Sequence, residues 1–242
     1  MLSVLIALVA GSALGAALYF TTSLHPAISA ITALAGFTLI YVLILKQVMK
    51  AVGDAMEVVQ KDIMANRPEA AVHKLEGVKK KYQWWQFFID KQMNAQIGMV
   101  YYLRRDFSKA YDYLEKGIVR HWVAMAMLAI IQMKRNQPKK MIATFDKTVA
   151  GTRKEPLLWS LSAFCLDKIG DRNKAVSVME KGLKKVGSDE LMSSNLEALK
   201  SGGKMKMQGY GDLWLQFQLE KQGAMIRKQT KAMQGRRKIV RR

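Results

Sequence analysis

The chain has 242 residues, with 39 Lys and Arg against 19 Asp and Glu, for a formal net charge of +20. Its single cysteine, Cys165, excludes an intramolecular disulfide and a cysteine zinc site, and the three histidines, His25, His73 and His121, share no ligand spacing. Neither a metal nor a cofactor is expected, and the charge is divided sharply: residues 1–45 contain no Asp, Glu, Lys or Arg.

Two apolar spans are predicted, residues 2–20 and 27–45, each close to the ~20 residues that cross a ~30 Å hydrocarbon core. The few residues between them only reverse the chain, so the spans form a helical hairpin with both ends on one side. Lys46, Lys50 and Lys61 follow the second span and the turn carries no cation, which places both termini in the cytoplasm. A cleaved signal peptide is the competing reading of the first span. It wants a basic leader, and only Met1 and Leu2 precede the apolar run. Small residues recur at every fourth position of that span: Ser3, Ala7, Gly11 and Gly15. They make a smooth ridge for close helix packing, either within the hairpin against Ser29, Thr32, Ala33 and Gly36, or against a second copy or another membrane protein. Neither span holds an ionisable residue, which argues against a proton or ion pathway.

After Leu45 the apolar residues recur at three and four, and β-branched alternation is nearly absent, so the rest is helical too. The second span continues as one helix from Lys46 to about Ala65, and a return helix runs from Pro68 to about Lys81. Breakers fall at Asn66-Arg67-Pro68, Arg105-Asp106, Asn136-Gln137-Pro138, Gly170-Asp171 and Ser201-Gly202-Gly203, dividing the chain into short helix pairs. Segment Lys79–Phe88 has two readings. The return helix brings Lys79, Lys80, Lys81, Trp84 and Trp85 back to headgroup level, where Lys and Trp are favoured; alternatively Trp84, Trp85 and Phe88 begin the next helix and are buried.

The helix pairs repeat a pattern. Gly98 and Tyr101 on one helix are followed by Ala110, Leu114, Gly117 and Ile118 on the next, and Ala163 by Gly170, Ala175, Met179, Gly182 and Leu183. Trp159 stands early in the second copy. A weaker copy has Ala129, Phe145 and Val149, with Met141 at a small-residue position, and Ala71, Leu75 and Val78 mark a degenerate unit before them. This small-and-large order resembles the tetratricopeptide repeat (TPR), a helical hairpin of about 34 residues. The resemblance covers residues 52–187, and it departs from the family where Trp122 and Gly187 replace the proline after the second helix. Together with the apolar spans and the basic C-terminus, this gives an all-α chain: a transmembrane hairpin (1–45), TPR-like repeats (46–187), capping helices (188–234) and a basic tail (235–242). The capping region is expected to hold one helix after Ser188 and another from about Gly211 to Gln234, with Leu213, Trp214 and Phe217 covering the last repeat.

By the same resemblance, the first helix of each pair lines a concave groove, with Met99, Tyr102, Ala126, Ile130, Met133, Ser160, Phe164 and Asp167 facing a protein partner. Met and aromatic groups there suit an amphipathic helix or apolar peptide. Only Lys134 and Lys168 stand near the groove, which argues against capture of a carboxylate terminus. No phosphate loop, nucleophile elbow or paired catalytic acid and base occurs, so the chain is read as non-enzymatic. The leading reading is a membrane-tethered TPR scaffold or adaptor. The alternative is an anionic-ligand binder acting through Lys79, Lys80 and Lys81 and the tail residues Arg236, Arg237, Lys238, Arg241 and Arg242. No aromatic residue interleaves the tail's cations, which favours anionic lipid over nucleic acid. The plan of a two-span anchor followed by repeats resembles bacterial inner-membrane TPR proteins.

Overall fold

The computed structural model describes residues 1–22 and 25–219, and every regular element among them is helical. Helices α1 (Leu2–Thr22) and α2 (Pro26–Met64) are both long and apolar enough to cross a membrane. They are followed by α3 (Pro68–Tyr82), α4 (Ile89–Leu103), α5 (Phe107–Glu115), α6 (Trp122–Lys134), α7 (Pro138–Gly151), α8 (Pro156–Lys168), α9 (Arg172–Val186) and α10 (Glu190–Lys200). A 3-10 turn (Met207–Tyr210) and the one-turn α11 (Asp212–Leu215) close the described chain. The residues fall into two compact units, Met1–Ala124 and Met125–Arg242. That division lies far from the charge boundary at Leu45 because α2 runs unbroken through it.

In the first unit, α1 lies antiparallel against α2 on its small-residue ridge. A Cβ on Gly11 would stand 2.8 Å from the Ala33 carbonyl oxygen and 2.8 Å from the Phe37 amide nitrogen. One on Gly15 would stand 2.6 Å from Ala33 Cβ and 2.9 Å from the Ser29 carbonyl oxygen. The two backbones touch here, an approach that only glycine permits. Ser3 and Ala7, on the same face, are buried as well. The face of α2 carrying Ser29, Ala33 and Gly36 receives the ridge.

The C-terminal half of α2 packs into the helical body of the first unit. Val48, Val52 and Val59 are buried with Ala71, Val72 and Leu75 of α3 and with Ile89, Met93, Ile97 and Val100 of α4. At about 1.5 Å per residue, the 39 residues of α2 extend about 58 Å. One helix is thus both the second apolar span and the first helix of a repeat.

Five helices end in the same turn. After α2, α4, α6, α8 and α10 a residue adopts the left-handed conformation: Asn66 (φ 57°), Arg105 (φ 64°), Asn136 (φ 56°), Gly170 (φ 90°) and Gly202 (φ 80°). In each case the next amide donates back into the helix: Arg67 to Asp62, Asp106 to Tyr101, Gln137 to Gln132, Asp171 to Leu166, and Gly203 to Ala198. This six-to-one bond is the Schellman closure, which satisfies carbonyls that a helix end leaves free. The partner helices then start on Pro68 and Pro138, or on Asp106 and Asp171, whose Oδ1 atoms accept from the amides of Lys109 and Lys174 at 3.2 Å. A proline needs no amide partner at that position, and an aspartate supplies one. The breakers read in the sequence are these turns. Helices α4 and α5 form a tightly packed helical hairpin: a Cβ on Gly98 would lie 2.6 Å from Leu114 Cγ, marking their close approach. Between α6 and α7 the buried Thr144 Oγ1 donates to Gln132 Oε1 at 2.8 Å.

Two expectations need correction. The helix foreseen from Gly211 is a single turn, Asp212–Leu215, after which the chain bends at Gln216 and Phe217; the remainder of that expected helix and the tail lie outside the described residues. Segment 83–88 does not begin α4, which starts at Ile89, contrary to the reading in which Trp84, Trp85 and Phe88 open that helix and are buried. The segment turns Trp85 inward, while Trp84 and Phe88 stay exposed.

Two stability tests follow. Arg105 is an L residue held at positive φ, a conformation that costs roughly 1–2 kcal/mol. Arg105→Gly should raise the melting temperature of the full chain in detergent, and Gly170→Ala should lower its stability by about 1 kcal/mol. Equal and negligible shifts in thermal scans of both variants would refute the shared-turn account.

The second concerns His121, which precedes α6 and accepts from the Ala124 amide on Nδ1 at 3.3 Å. Burial lowers its pKa below the ordinary 6.5. The folded chain resists a proton that the unfolded chain takes up, so this contribution is complete above pH 6.5 and is lost as pH falls below it. A proton there also removes the cap and adds positive charge at a helix N-terminus. His121→Asn, a capping residue that does not titrate, should flatten the melting temperature between pH 7 and 5 relative to the parent chain (roughly the histidine window).

Candidate partner-binding clefts

Helix α8 presents Ser160, Phe164 and Lys168 at four-residue intervals, which align them along one face. In α10 the residues facing the same space include Leu191 and Asn195. The chain after α10 lies across this face. Arg172 Nη2 donates to the Gly203 carbonyl at 3.1 Å, and the Lys206 amide donates to Asn195 Oδ1 at 2.6 Å. The Tyr210 hydroxyl and Ser160 Oγ share a hydrogen bond of 2.7 Å. Burial pushes the Tyr210 hydroxyl up to about 12, so it keeps its proton across the physiological range. Trp214 meets Phe164 edge to face at 5.0 Å between centroids, and both Trp214 and Phe217 are buried.

This segment covers the Ser160 end of the face and leaves the other end open. A cleft of about 750 Å³ remains, lined by Phe164, Lys168, Leu191, Met207, Trp214 and Leu219. Its floor is apolar. Lys168 Nζ stands over the Phe164 ring at 5.3 Å, and Lys206 is also part of the lining. The cleft therefore combines adaptable methionine and aromatic surface with positive charge.

The first unit carries a separate cleft of about 630 Å³ between α2 and α4, lined by Met56, Val59, Ile63, Met64, Gln96 and Val100. Its α4 face is formed by positions 96 and 100, not by those expected from the repeat pattern.

The expected groove residues divide accordingly. Phe164 lines the open cleft, and Met99 and Met133 are half-buried. Ser160 faces the expected side but is closed over by Tyr210. Asp167 accepts from Arg172 Nε at 2.8 Å, an ion pair that joins α8 to the start of α9. Tyr102 is fully buried against Phe107, 5.3 Å between centroids. The reason is geometric: Tyr102 lies four residues after Gly98, and Gly98 is the contact with α5, so both belong to the inner face. Ala126 and Ile130 are fully buried in α6, which is apolar on every side. Of the three residues expected to cover the last repeat, Trp214 packs on Phe164 of α8, Phe217 is buried and Leu213 points outward. Leu191, Met205 and Met207 were not foreseen, because the segment that carries the two methionines has no helical period to read.

Of the expected anion contacts, Lys79 is engaged internally. Its Nζ donates to Asn94 Oδ1 at 2.8 Å and pairs with Asp90 at 3.1 Å. Lys80 and Lys81 are exposed. Arg236, Arg237, Lys238, Arg241 and Arg242 lie outside the described residues. Among the described residues no group of three His, Cys, Asp or Glu side chains is placed to hold a metal.

No protein-family model and no curated protein matches the chain. A solved structure, that of the MamA RS-1 ArsTM double mutant, is similar to it with a TM-score of 0.46 at 15% identity, over 68% of this chain and 92% of that one.

The seating of the C-terminal segment can be tested by proteolysis. Trp214→Ala removes a fully buried aromatic side chain, a change that typically costs about 3–5 kcal/mol. It should accelerate tryptic cleavage at Lys204 and Lys206. Tyr210→Phe, which removes one hydrogen bond worth about 0.5–1.5 kcal/mol, should have a smaller effect in the same direction. Cleavage at the parental rate in Trp214→Ala would refute the contact with Phe164.

Proposed function

We propose that this protein is a membrane-tethered, non-catalytic scaffold. Helices α1 and α2 hold it in a bilayer as a two-span hairpin, and the TPR-like body faces the cytoplasm and recruits another protein. The observation that carries the reading is the continuity of α2, which joins an apolar hairpin to a repeat body without a hinge. The outward faces of the hairpin support the membrane half. Leu5, Val9, Ile31, Leu34 and Leu39 are all exposed, an apolar surface of the kind that marks a membrane contact.

The cleft in the second unit supports the recruiting half. Phe164, Leu191, Met207 and Trp214 offer an apolar bed, and Lys168 and Lys206 add cations. That chemistry fits an amphipathic helix or apolar peptide carrying acidic residues. The strongly positive balance of the whole chain favours the same partner through long-range attraction. The cations alone support a second reading, an anionic-ligand binder that works through Lys80, Lys81 and the tail.

Affinity capture of the full-length protein in mild detergent separates the two. The parent chain is compared with a Lys168→Glu, Leu191→Asp variant and with a chain lacking residues 236–242, each washed at low and high salt. A defined protein that survives high salt and tail removal but is lost from the cleft variant is the expected result. Recovery of lipid or nucleic acid alone, released by salt or by tail removal, would overturn the scaffold reading in favour of the second.

A further inference from the structure

Between α3 and α4 the chain exposes three aromatic side chains in a row of five residues: Trp84 is 66% exposed, Phe87 58% and Phe88 60%. The neighbouring Trp85 is turned into the core of the first unit. Exposure of so much aromatic surface in one place is unfavourable in water and marks a contact surface. The position of the segment in the fold identifies the contact.

Its backbone is tied to the first turn of α1. The Leu2 amide donates to the Trp84 carbonyl at 2.9 Å, and Ser3 Oγ donates to the Trp85 carbonyl at 2.5 Å. The amino group of Met1 reaches the same two carbonyls at 2.7 and 3.0 Å. The height of that turn follows from the hairpin register. Gly11 faces Ala33 and Phe37, and Gly15 faces Ser29 and Ala33, so each step back along α1 is a step forward along α2. Continuing the register from Gly11 to Ser3 brings Ser3 level with residues 41–45, the last before Lys46. The aromatic segment therefore stands where the apolar surface of the hairpin ends and charge begins. In a bilayer this is the depth of the headgroups, the favoured site of aromatic side chains with one wet and one apolar side. Lys80 and Lys81, exposed at the end of α3, precede it and match the charge of lipid phosphates.

We infer that Trp84, Phe87 and Phe88 insert into the headgroup layer of an anionic bilayer, with Lys80 and Lys81 against the phosphates. The soluble body is then fixed to the membrane surface at a second point, beside the hairpin. The inference rests on the reading of α1 and α2 as membrane spans, and its test keeps the two apart. The single native cysteine, Cys165, is fully buried and its thiol is pushed well up by that burial, so an introduced cysteine can be labelled selectively.

The full-length protein is reconstituted into vesicles of phosphatidylcholine and phosphatidylglycerol. It carries an environment-sensitive fluorophore on Phe87→Cys, on Phe88→Cys, on Leu34→Cys in the span, or on Lys147→Cys in α7. Spin-labelled lipids quench from the headgroup or from deep in the acyl chain. The expected result is blue-shifted emission and headgroup-lipid quenching at positions 87 and 88, acyl-chain quenching at 34, and neither at 147. Adding Lys80→Glu with Lys81→Glu should reduce the quenching at 87. Water-like emission at 87 and 88, with 34 still quenched, would overturn the inference and leave the tether intact. A blue shift at 87 without headgroup quenching would also overturn it, because a protein surface would then cover the segment. Loss of quenching at 34 as well would remove the tether and this inference with it.

Discussion

The unbroken course of α2 is the constraint from which the rest of the first unit follows. Its upper half must accept α1 at backbone contact, and its lower half must present valines to α3 and α4. Both demands fall on one helix with one set of faces. The first is met by removing side chains, with Gly11 and Gly15 of α1 set against Ser29, Ala33 and Gly36. The second is met at Val48, Val52 and Val59, spaced to stay on one side. Because no turn separates the halves, the angle at which the body leaves the hairpin is set by helix stiffness. A hinge would have left it to a linker.

The repeat character resides in the turns more than in the helices. Five helix ends use the same left-handed residue and the same six-to-one hydrogen bond, although the residue is Asn, Arg or Gly. That shared turn was legible in the sequence as breaker residues between the helices, and so were the two apolar spans and the small residues at Gly98 and Ala110. These features share a cause: each is imposed by local backbone geometry or by a close approach that few residue types permit. Such requirements leave a narrow signature in sequence.

The clefts were less legible, and particular residues show why. The interior-facing side of α4 is fixed by Gly98, so Tyr102 was assignable to the core from the same spacing that identified the repeat. Its placement in a groove came from the family pattern, which irregular repeat lengths put out of phase. In α6 no side could be chosen, because apolar residues surround the helix and amphipathicity carries no direction. The chain after Gly203 is held by isolated contacts of Arg172, Asn195, Ser160 and Phe164 with its backbone and rings. Contacts between residues this far apart in the chain, without periodicity, leave no pattern for a sequence to show.

The irregular lengths are themselves informative. From Gly170 back to Asn136 the turn-to-turn interval is 34 residues, and from Arg105 back to Asn66 it is 39. The longer interval contains the non-helical segment 83–88, so the extra residues are the ones that carry Trp84, Phe87 and Phe88 into the open. A repeat that faced only water would gain nothing from such an addition and would risk self-association through it. The segment links the α2–α3 pair to α4, with its carbonyls bonded to the first turn of α1. Added length, aromatic exposure and attachment to the hairpin coincide at a single level of the molecule. The bilayer surface proposed at that level would account for all three.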